Sequence, residues 1–281
     1  MINKDILKEI KLVVFDLDGT LLDENGKVGE ESKRLIKELS KKNVLFSIAT
    51  GRLLSAVTEI ADELEIKTPL ITLDGTLIKR YPNEKSVYES HVPVKHVKRA
   101  LNLADKYLLK VALCHDDSIY YTEENSIFPQ MIEKFGAKYK LVYSYDNHLD
   151  NILEVVLAND YQPNIKYVAN KMSFPYTFGL RSSYYKTNSQ GGLYLLEIRK
   201  MGASKGDGLK KLTKHLKIKM KHTAVLGDWY NDKSLFENDC LKIAMGNAVP
   251  ELKRMADYTL KKTNNEDGVA DFLKMILEAK K

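Results

Sequence analysis

The stretch VVFDLDGTLLD, residues 13–23, determines how the rest of the chain can be interpreted. Its first residues are apolar and predict a short buried strand, and Asp16 follows that strand directly. Asp18 comes two residues later, and residues i and i+2 of an extended segment point the same way. Gly19 then permits a sharp turn. The stretch therefore predicts a buried strand that ends in two carboxylates on one side of a loop.

A second stretch, LITLDGTLI at residues 70–78, resembles the first but differs at one decisive position. Thr72 stands where the first copy has Asp16, and Asp74 stands where it has Asp18. Only the first copy therefore supplies a pair of carboxylates, although both predict a strand that leads into a turn.

Short apolar runs alternate with helix-like stretches in the two outer regions of the chain. The apolar runs lie at 11–15, 44–49, 69–73, 223–228 and 243–247. The stretches with helical spacing lie at about 30–43, 53–66, 204–217 and 267–279. This alternation predicts an α/β fold with a Rossmann-like parallel sheet core, and in such sheets ligands bind beyond the carboxyl ends of the strands.

The middle of the chain has a different pattern. Two hairpin signals occur there, one at Asp116-Asp117 and one at Ser189-Gln190-Gly191-Gly192. Of the 16 tyrosines, 13 lie between residues 88 and 194, a skew that supports a separate module. We therefore expect a core domain formed by 1–82 and 199–281, with an inserted α+β cap domain at 83–198.

Composition narrows the protein class. The formal net charge is +6, but the lysines are spread along helix-like segments, so no nucleic-acid partner is expected. No apolar run reaches the roughly 20 residues that a membrane span needs, so no membrane partner is expected. The two cysteines, Cys114 and Cys240, form no disulfide framework or metal-binding spacing, which favours a cytoplasmic location.

Further polar residues follow other predicted strands and begin other predicted helices. Asp228 ends the strand at 223–228, and Asn231 and Asp232 begin the next helix. Clustered carboxylates repel one another, and their hard oxygen ligands favour Mg²⁺. Thr50-Gly51 supplies a hydroxyl and backbone N–H groups for an anion, and Lys205 adds a cation. Together these residues predict phosphoryl transfer.

These four motifs, DLDGTLLD, ATGR, SKG and GDWYND, resemble in order and spacing those of the haloacid dehalogenase superfamily of phosphatases. The chain is most similar to the Cof-type branch, in which a larger cap is inserted between the second and third motifs. The resemblance implies a cytoplasmic phosphatase that uses Mg²⁺ and hydrolyses small phosphorylated metabolites, such as sugar phosphates, through an aspartyl-phosphate intermediate.

The resemblance also implies roles for individual residues. Asp16 would be the nucleophile and Asp18 the general acid and base. The implied metal site consists of Asp16, Asp18 through its backbone carbonyl, Asp228, and Asp232 through water or by orienting the loop. The implied phosphate site consists of Leu17, Thr50, Gly51, Lys205 and Asn231. Loss of Lys205 would then lower the rate more than the stability.

Three more residues are possible substrate contacts. Asp74 occupies a place where the family commonly has asparagine; it would bind a substrate hydroxyl or simply face the turn. Trp229 would wall the pocket entrance or pack on a neighbouring loop, and Arg52 would reach substrate or pair with an acid.

Two other functions fit the same sequence. A sugar phosphomutase of similar fold needs a cap that holds a second phosphate, for which Arg99 and Arg181 are available. A non-catalytic phosphometabolite sensor would need neither Asp16 nor Asp18, so the presence of both argues against it. The sequence indicates neither the oligomeric state nor the physiological substrate.

Overall fold

The computed structural model describes residues 2–80, 85–122, 137–187 and 192–281. Contacts divide the chain into two compact units, with unit 1 formed by 1–51, 57–88 and 204–281 and unit 2 by 52–56 and 89–203. The predicted boundary between residues 82 and 83 lies outside the described residues, as do Ser189, Gln190 and Gly191 of the second hairpin signal. The predicted domain limits therefore stay predictions.

Unit 1 contains a five-stranded parallel sheet. Its strands are β1 (Leu12–Phe15), β2 (Leu45–Ile48), β12 (Thr223–Gly227), β13 (Leu241–Ala244) and β14 (Tyr258–Thr259). Their order is β14-β13-β12-β1-β2, so β1 and β12 are neighbours at the centre. All four residues of β1 are buried, as expected for a strand covered on both faces. The predicted α/β core is confirmed.

Helices cover this sheet. They are α1 (Lys4–Glu9), α2 (Glu30–Ser40), α3 (Thr58–Glu63), α6 (Lys205–Leu216), α7 (Lys233–Phe236), α8 (Pro250–Met255) and α9 (Gly268–Ala279). Helices α2 and α9 pack against each other, and each buries an apolar stripe. The Asp267 carboxylate accepts hydrogen bonds from the backbone N–H of Ser32, at 3.1 Å, and from its hydroxyl, which joins the start of α9 to the start of α2.

The second Leu-Asp-Gly-Thr stretch forms a hairpin turn instead of a strand end of the main sheet. Strand β3 (Leu70–Thr72) pairs antiparallel with β4 (Leu77–Lys79), and β5 (Tyr88–Glu89) completes a three-stranded sheet. A single parallel bridge, between Ala49 and Ile71, links β3 to the chain that follows β2. The expected run at 69–73 therefore lies beside the parallel sheet without extending it as a full strand.

Unit 2 contains a six-stranded mixed sheet in the order β10-β11-β9-β6-β7-β8. The strands are β6 (Lys110–Cys114), β7 (Ile119–Tyr121), β8 (Tyr139–Leu141), β9 (Glu154–Asn159), β10 (Leu180–Lys186) and β11 (Tyr194–Lys200). The helices α4 (Val94–Lys106) and α5 (Gln162–Lys171) bury their apolar residues with one face of this sheet. Strands β6 and β7 form the hairpin predicted at Asp116-Asp117. The predicted α+β insert is confirmed.

Among the residues that the structure describes, we find no helix that combines the length and the apolar character required to cross a membrane.

Candidate active site

Two carboxylates lie at the carboxyl ends of the two central strands. Asp16 follows β1 and Asp228 follows β12, and these strands pair in register from Leu12 with Thr223 to Phe15 with Leu226. The backbone N–H of Asp16 donates to the carbonyl of Leu226 at 3.0 Å, which continues the pairing to the site. Two side chains 212 positions apart in sequence are therefore brought together by parallel pairing alone.

Lys205 is the cation of this site. Its ammonium lies 2.5 Å from Oδ1 of Asp16 and 2.7 Å from Oδ1 of Asp232, and its side chain is completely buried. Lys205 is the first residue of α6, and the Ser204 hydroxyl caps that helix by accepting from the backbone N–H of Asp207 at 3.1 Å. The helix start thus fixes the place from which the lysine reaches both carboxylates.

Glycine permits the close packing that brings α6 to the site. A Cβ atom built on Gly206 would lie 2.0 Å from the carbonyl oxygen of Ser234. Any larger residue would therefore push α6 away from α7.

The loop after β1 is held against Asp228. The hydroxyl of Thr20 donates to Oδ1 of Asp228 at 2.8 Å. Gly19 has a φ of 84°, and a Cβ on it would lie 2.3 Å from Oδ2 of the same carboxylate. This position requires glycine because of both its backbone conformation and the space available.

Asp232 uses both of its carboxylate oxygens for contacts within the protein. Oδ1 accepts from Lys205, and Oδ2 accepts from the backbone N–H groups of Asp228 and Trp229 at 3.0 and 3.2 Å. These bonds hold the loop after β12 in a fixed conformation around Asp228.

Asp16, Asp228 and Asp232 form a buried cluster in which one ligand oxygen from each lies within 4.8 Å of the others. Burial raises the pKa of Asp16 well above its usual value. The charge of Asp232 adds to this effect, and Lys205 opposes it. Burial raises the pKa of Asp228 to about 6. Burial alone would lower the pKa of Lys205, but Asp16 and Asp232 outweigh it and raise that pKa.

The cluster has the chemistry of a divalent-metal site. When ionised, its three carboxylates outnumber the single ammonium of Lys205, so two negative charges remain uncompensated. Burial, which is the main cause of the raised pKa values of Asp16 and Asp228, leaves little water to stabilise this excess negative charge. A cation held by hard carboxylate oxygens would remove it.

The remaining predicted site residues differ in burial and in their contacts. Asp18 is exposed on the loop after β1 and is not part of the carboxylate cluster, whereas Leu17 is buried. Thr50 is buried, and its backbone N–H donates to the carbonyl of Ile71 at 2.9 Å. The backbone N–H of Asp74 donates to the carbonyl of Thr50 at 2.9 Å.

Asn231 and Trp229 lie on the loop after β12. Asn231 is exposed in a single 3₁₀ turn, Tyr230–Asp232. Trp229 is 55% exposed and its ring lies edge-on to that of Tyr230, 5.4 Å between centroids. Arg52 belongs to unit 2 by its contacts.

Sequence reasoning missed two residues that shape the site. Thr20 binds Asp228, and the side-chain amide of Asn247 donates to the carbonyl of Gly19 at 2.8 Å. The stretch IAMGN predicted only a strand, yet β13 ends at Ala244 and Asn247 lies three residues beyond the carboxyl end of that strand. A polar residue just after a predicted parallel strand was the available signal.

Comparisons with known proteins agree with this architecture. A family model described as haloacid dehalogenase-like hydrolase matches residues 13–273. The Bacillus subtilis protein 5-amino-6-(5-phospho-D-ribitylamino)uracil phosphatase YcsE is 28% identical over 266 residues, covering 93% of this chain and 94% of its own.

Solved structures share the fold. A haloacid dehalogenase-like hydrolase from Bacteroides thetaiotaomicron has a TM-score of 0.81 at 22% identity, covering 95% of this chain and 99% of its own. The subclass IIB sugar phosphatase BT4131 has a TM-score of 0.73 at 22% identity, covering 94% of this chain and 98% of its own.

Proposed function

This chain belongs to the haloacid dehalogenase-like hydrolase family, and we propose that it is a Mg²⁺-dependent phosphatase of small phosphorylated metabolites. The phosphatase activity itself agrees with the relatives that are named as phosphatases. One observation supports Mg²⁺ dependence and the proposed mechanism. It is the buried cluster at the ends of the central strands, formed by Asp16, Asp228, Asp232 and Lys205.

Asp16 is the proposed nucleophile. One of its carboxylate oxygens attacks phosphorus, the bond from phosphorus to the leaving oxygen breaks, and Asp18 gives that oxygen a proton. Asp18 then removes a proton from water, the water oxygen attacks phosphorus, and the bond to Asp16 breaks to release inorganic phosphate. The exposed position of Asp18 on the same loop suits proton exchange, and Lys205 offsets the negative charge that phosphate brings.

The proposed metal ligands are Asp16, Asp228 and the backbone carbonyl of Asp18. Mg²⁺ would neutralise charge on the carboxylates and on the transferring phosphoryl group. Because both oxygens of Asp232 have protein partners, its proposed role is to orient the Asp228 loop and Lys205.

The proposed phosphate site combines the hydroxyl of Thr50, the backbone of Leu17 and Gly51, the Lys205 ammonium and the Asn231 amide. Arg52 and Trp229 remain candidates for contact with the leaving group. Trp229 supports such a contact because about half of it remains exposed beside the ring of Tyr230.

The proposed substrates are phosphate monoesters of small polyhydroxylated molecules. The name of the Bacillus subtilis relative specifies a ribityl phosphate, and the subclass IIB neighbour is a sugar phosphatase. Unit 2 is proposed to be the cap domain, which in this family selects the leaving group.

The phosphomutase alternative has weaker support. Of the two arginines available for a second phosphate, Arg99 donates through Nε to the carbonyl of Lys171 at the end of α5, at 3.3 Å. This arginine is therefore used for helix capping.

Release of inorganic phosphate from a panel of sugar, polyol and nucleotide monophosphates tests the proposal. We expect release with Mg²⁺, loss of release with EDTA, and recovery when Mg²⁺ is restored. Asp228→Asn should need far more Mg²⁺ than the wild type, whereas Asp5→Asn, on the helix α1 that leads into the amino end of β1, should not. Release that is indifferent to chelation would contradict the metal site, and transfer of phosphate between sugars without release would favour the mutase.

A further inference from the structure

Asp74 lies in a turn whose backbone is unusual. Leu73, Asp74 and Gly75 follow β3 with consecutive positive φ values of 45°, 48° and 90°. A buried leucine in this region is strained, and strained backbone concentrates at functional sites. Aspartate tolerates such a backbone, as asparagine does, so the turn alone would explain a residue of this type. It does not explain where the carboxylate is placed.

The Asp74 carboxylate lies against the proposed phosphate-binding turn. A Cβ built on Gly51 would lie 3.4 Å from Oδ1 and 3.5 Å from Oδ2 of Asp74. The backbone N–H of Asp74 holds the carbonyl of Thr50 at 2.9 Å. Asp74 is only partly buried, and its charge adds to those of Asp16 and Asp232 in favouring the ammonium form of Lys205. Asp74 therefore interacts electrostatically with Lys205, the lysine that is proposed to bind phosphate.

An ionised carboxylate can only accept hydrogen bonds, whereas an asparagine amide in the same place could also donate. A group that lies beside the bound phosphate and faces Asp74 must therefore bring a hydrogen of its own. A hydroxyl does so, and a carboxylate or a second phosphate does not.

We propose that Asp74 is a specificity-determining residue that favours phosphate monoesters with a hydroxyl close to the ester and rejects those with a second anionic group there. This inference rests on the proposed function and narrows its substrate class. Two unit charges about 6 Å apart, at an effective dielectric constant of about 40 that lies between those of a protein surface and of bulk water, change an equilibrium constant roughly ten-fold, which sets the size of the expected discrimination.

Binding to a non-turning-over enzyme tests the inference without requiring catalysis. The protein is the full chain with Mg²⁺ and Asp16→Asn, and the two ligands are glycerol 2-phosphate and 2-phosphoglycerate. These ligands differ only in a hydroxymethyl group that is replaced by a carboxylate beside the phosphate-bearing carbon. Dissociation constants are measured by calorimetry in Asp16→Asn alone, with Asp74→Asn added, and with Asp5→Asn added as a control that removes the same charge on α1.

We expect the preference for glycerol 2-phosphate to fall roughly ten-fold on adding Asp74→Asn and to stay unchanged on adding Asp5→Asn. High salt should narrow the preference only while Asp74 is present, because salt screens the repulsion. Asparagine has the same shape and tolerates the same backbone, so melting temperatures should agree.

Suppose that both ligands bind and that adding Asp74→Asn changes the ratio of their dissociation constants by less than about two-fold relative to Asp16→Asn alone. This result would overturn the role of Asp74 and leave the proposed function intact. If neither ligand binds any of the three proteins, the phosphate site itself is contradicted, and the role of Asp74 with it.

Discussion

Replacing Lys205 by methionine tests the charge balance of the buried site most severely. Methionine keeps much of the length of the side chain but removes the ammonium that contacts Asp16 at 2.5 Å and Asp232 at 2.7 Å. The carboxylates would then have neither water nor a cation to stabilise their charges. Removing one partner of a buried ion pair costs about 3–5 kcal/mol of unfolding free energy.

This cost corresponds to a fall in melting temperature of roughly 6–20 °C, at 2–4 °C for each kcal/mol in a chain of this size. The melting temperature is measured near neutral pH in EDTA, so that no metal replaces the missing charge. Lys210→Met is the matched control, because Lys210 lies on the same helix with 64% of its side chain exposed. We expect the control to change stability by less than about 0.5 kcal/mol.

The effect of Lys205→Met should also depend on pH. Burial and Asp232 already raise the pKa of Asp16, so in the variant this carboxyl takes up a proton more readily as the pH falls. The folded variant then loses the unpaired charge, and the gap to the wild type should narrow toward acid. Equal melting temperatures of Lys205→Met and wild type near neutral pH would refute the buried charge balance.

Three further predictions concern the same unit. Since burial raises the pKa of Asp228 to about 6, thermal stabilisation by added Mg²⁺ should be larger near pH 7 than near pH 5, and equal stabilisation would contradict a carboxylate ligand with that pKa. Asp267→Ala should lower the free energy of unfolding by about 1 kcal/mol or more, because it removes the acceptor of Ser32 at the start of α2 and places alanine at a φ of 55°. Asp267→Asn should recover part of the loss. An alanine variant with wild-type stability would refute a stabilising role for this contact. Gly206→Ala places a Cβ 2.0 Å from the carbonyl oxygen of Ser234. It should lower the free energy of unfolding, measured by chemical denaturation, by about 1–3 kcal/mol. A denaturation midpoint equal to that of the wild type would show that α6 and α7 can move apart without cost.

The fold class followed from the sequence because strand and helix periodicities are local signals. The run before Asp16 and the run before Asp228 both predicted buried strands, and the parallel-sheet rule placed their ends together. The insert followed from the hairpin signal at Asp116-Asp117.

What the sequence did not indicate depends on long-range packing. Lys205 at a helix start was expected to affect rate more than stability, but it is completely buried between two carboxylates, and we now expect a large effect on both. The run at 69–73 predicted another strand of the parallel sheet, but pairing with β4 turns it into a hairpin. The contact of Asn247 with Gly19 joins residues 228 positions apart, which no local pattern indicates.

The role of Asp16 as nucleophile is tested by measuring phosphate release by the wild type and by Asp16→Asn in parallel, with Mg²⁺ and the best substrate of the panel. Because an amide cannot serve as the attacking carboxylate, we expect release by the wild type and none above background by the variant, whose folded state is checked by circular dichroism. Substantial release by a folded Asp16→Asn would contradict the assignment of Asp16 as the nucleophile.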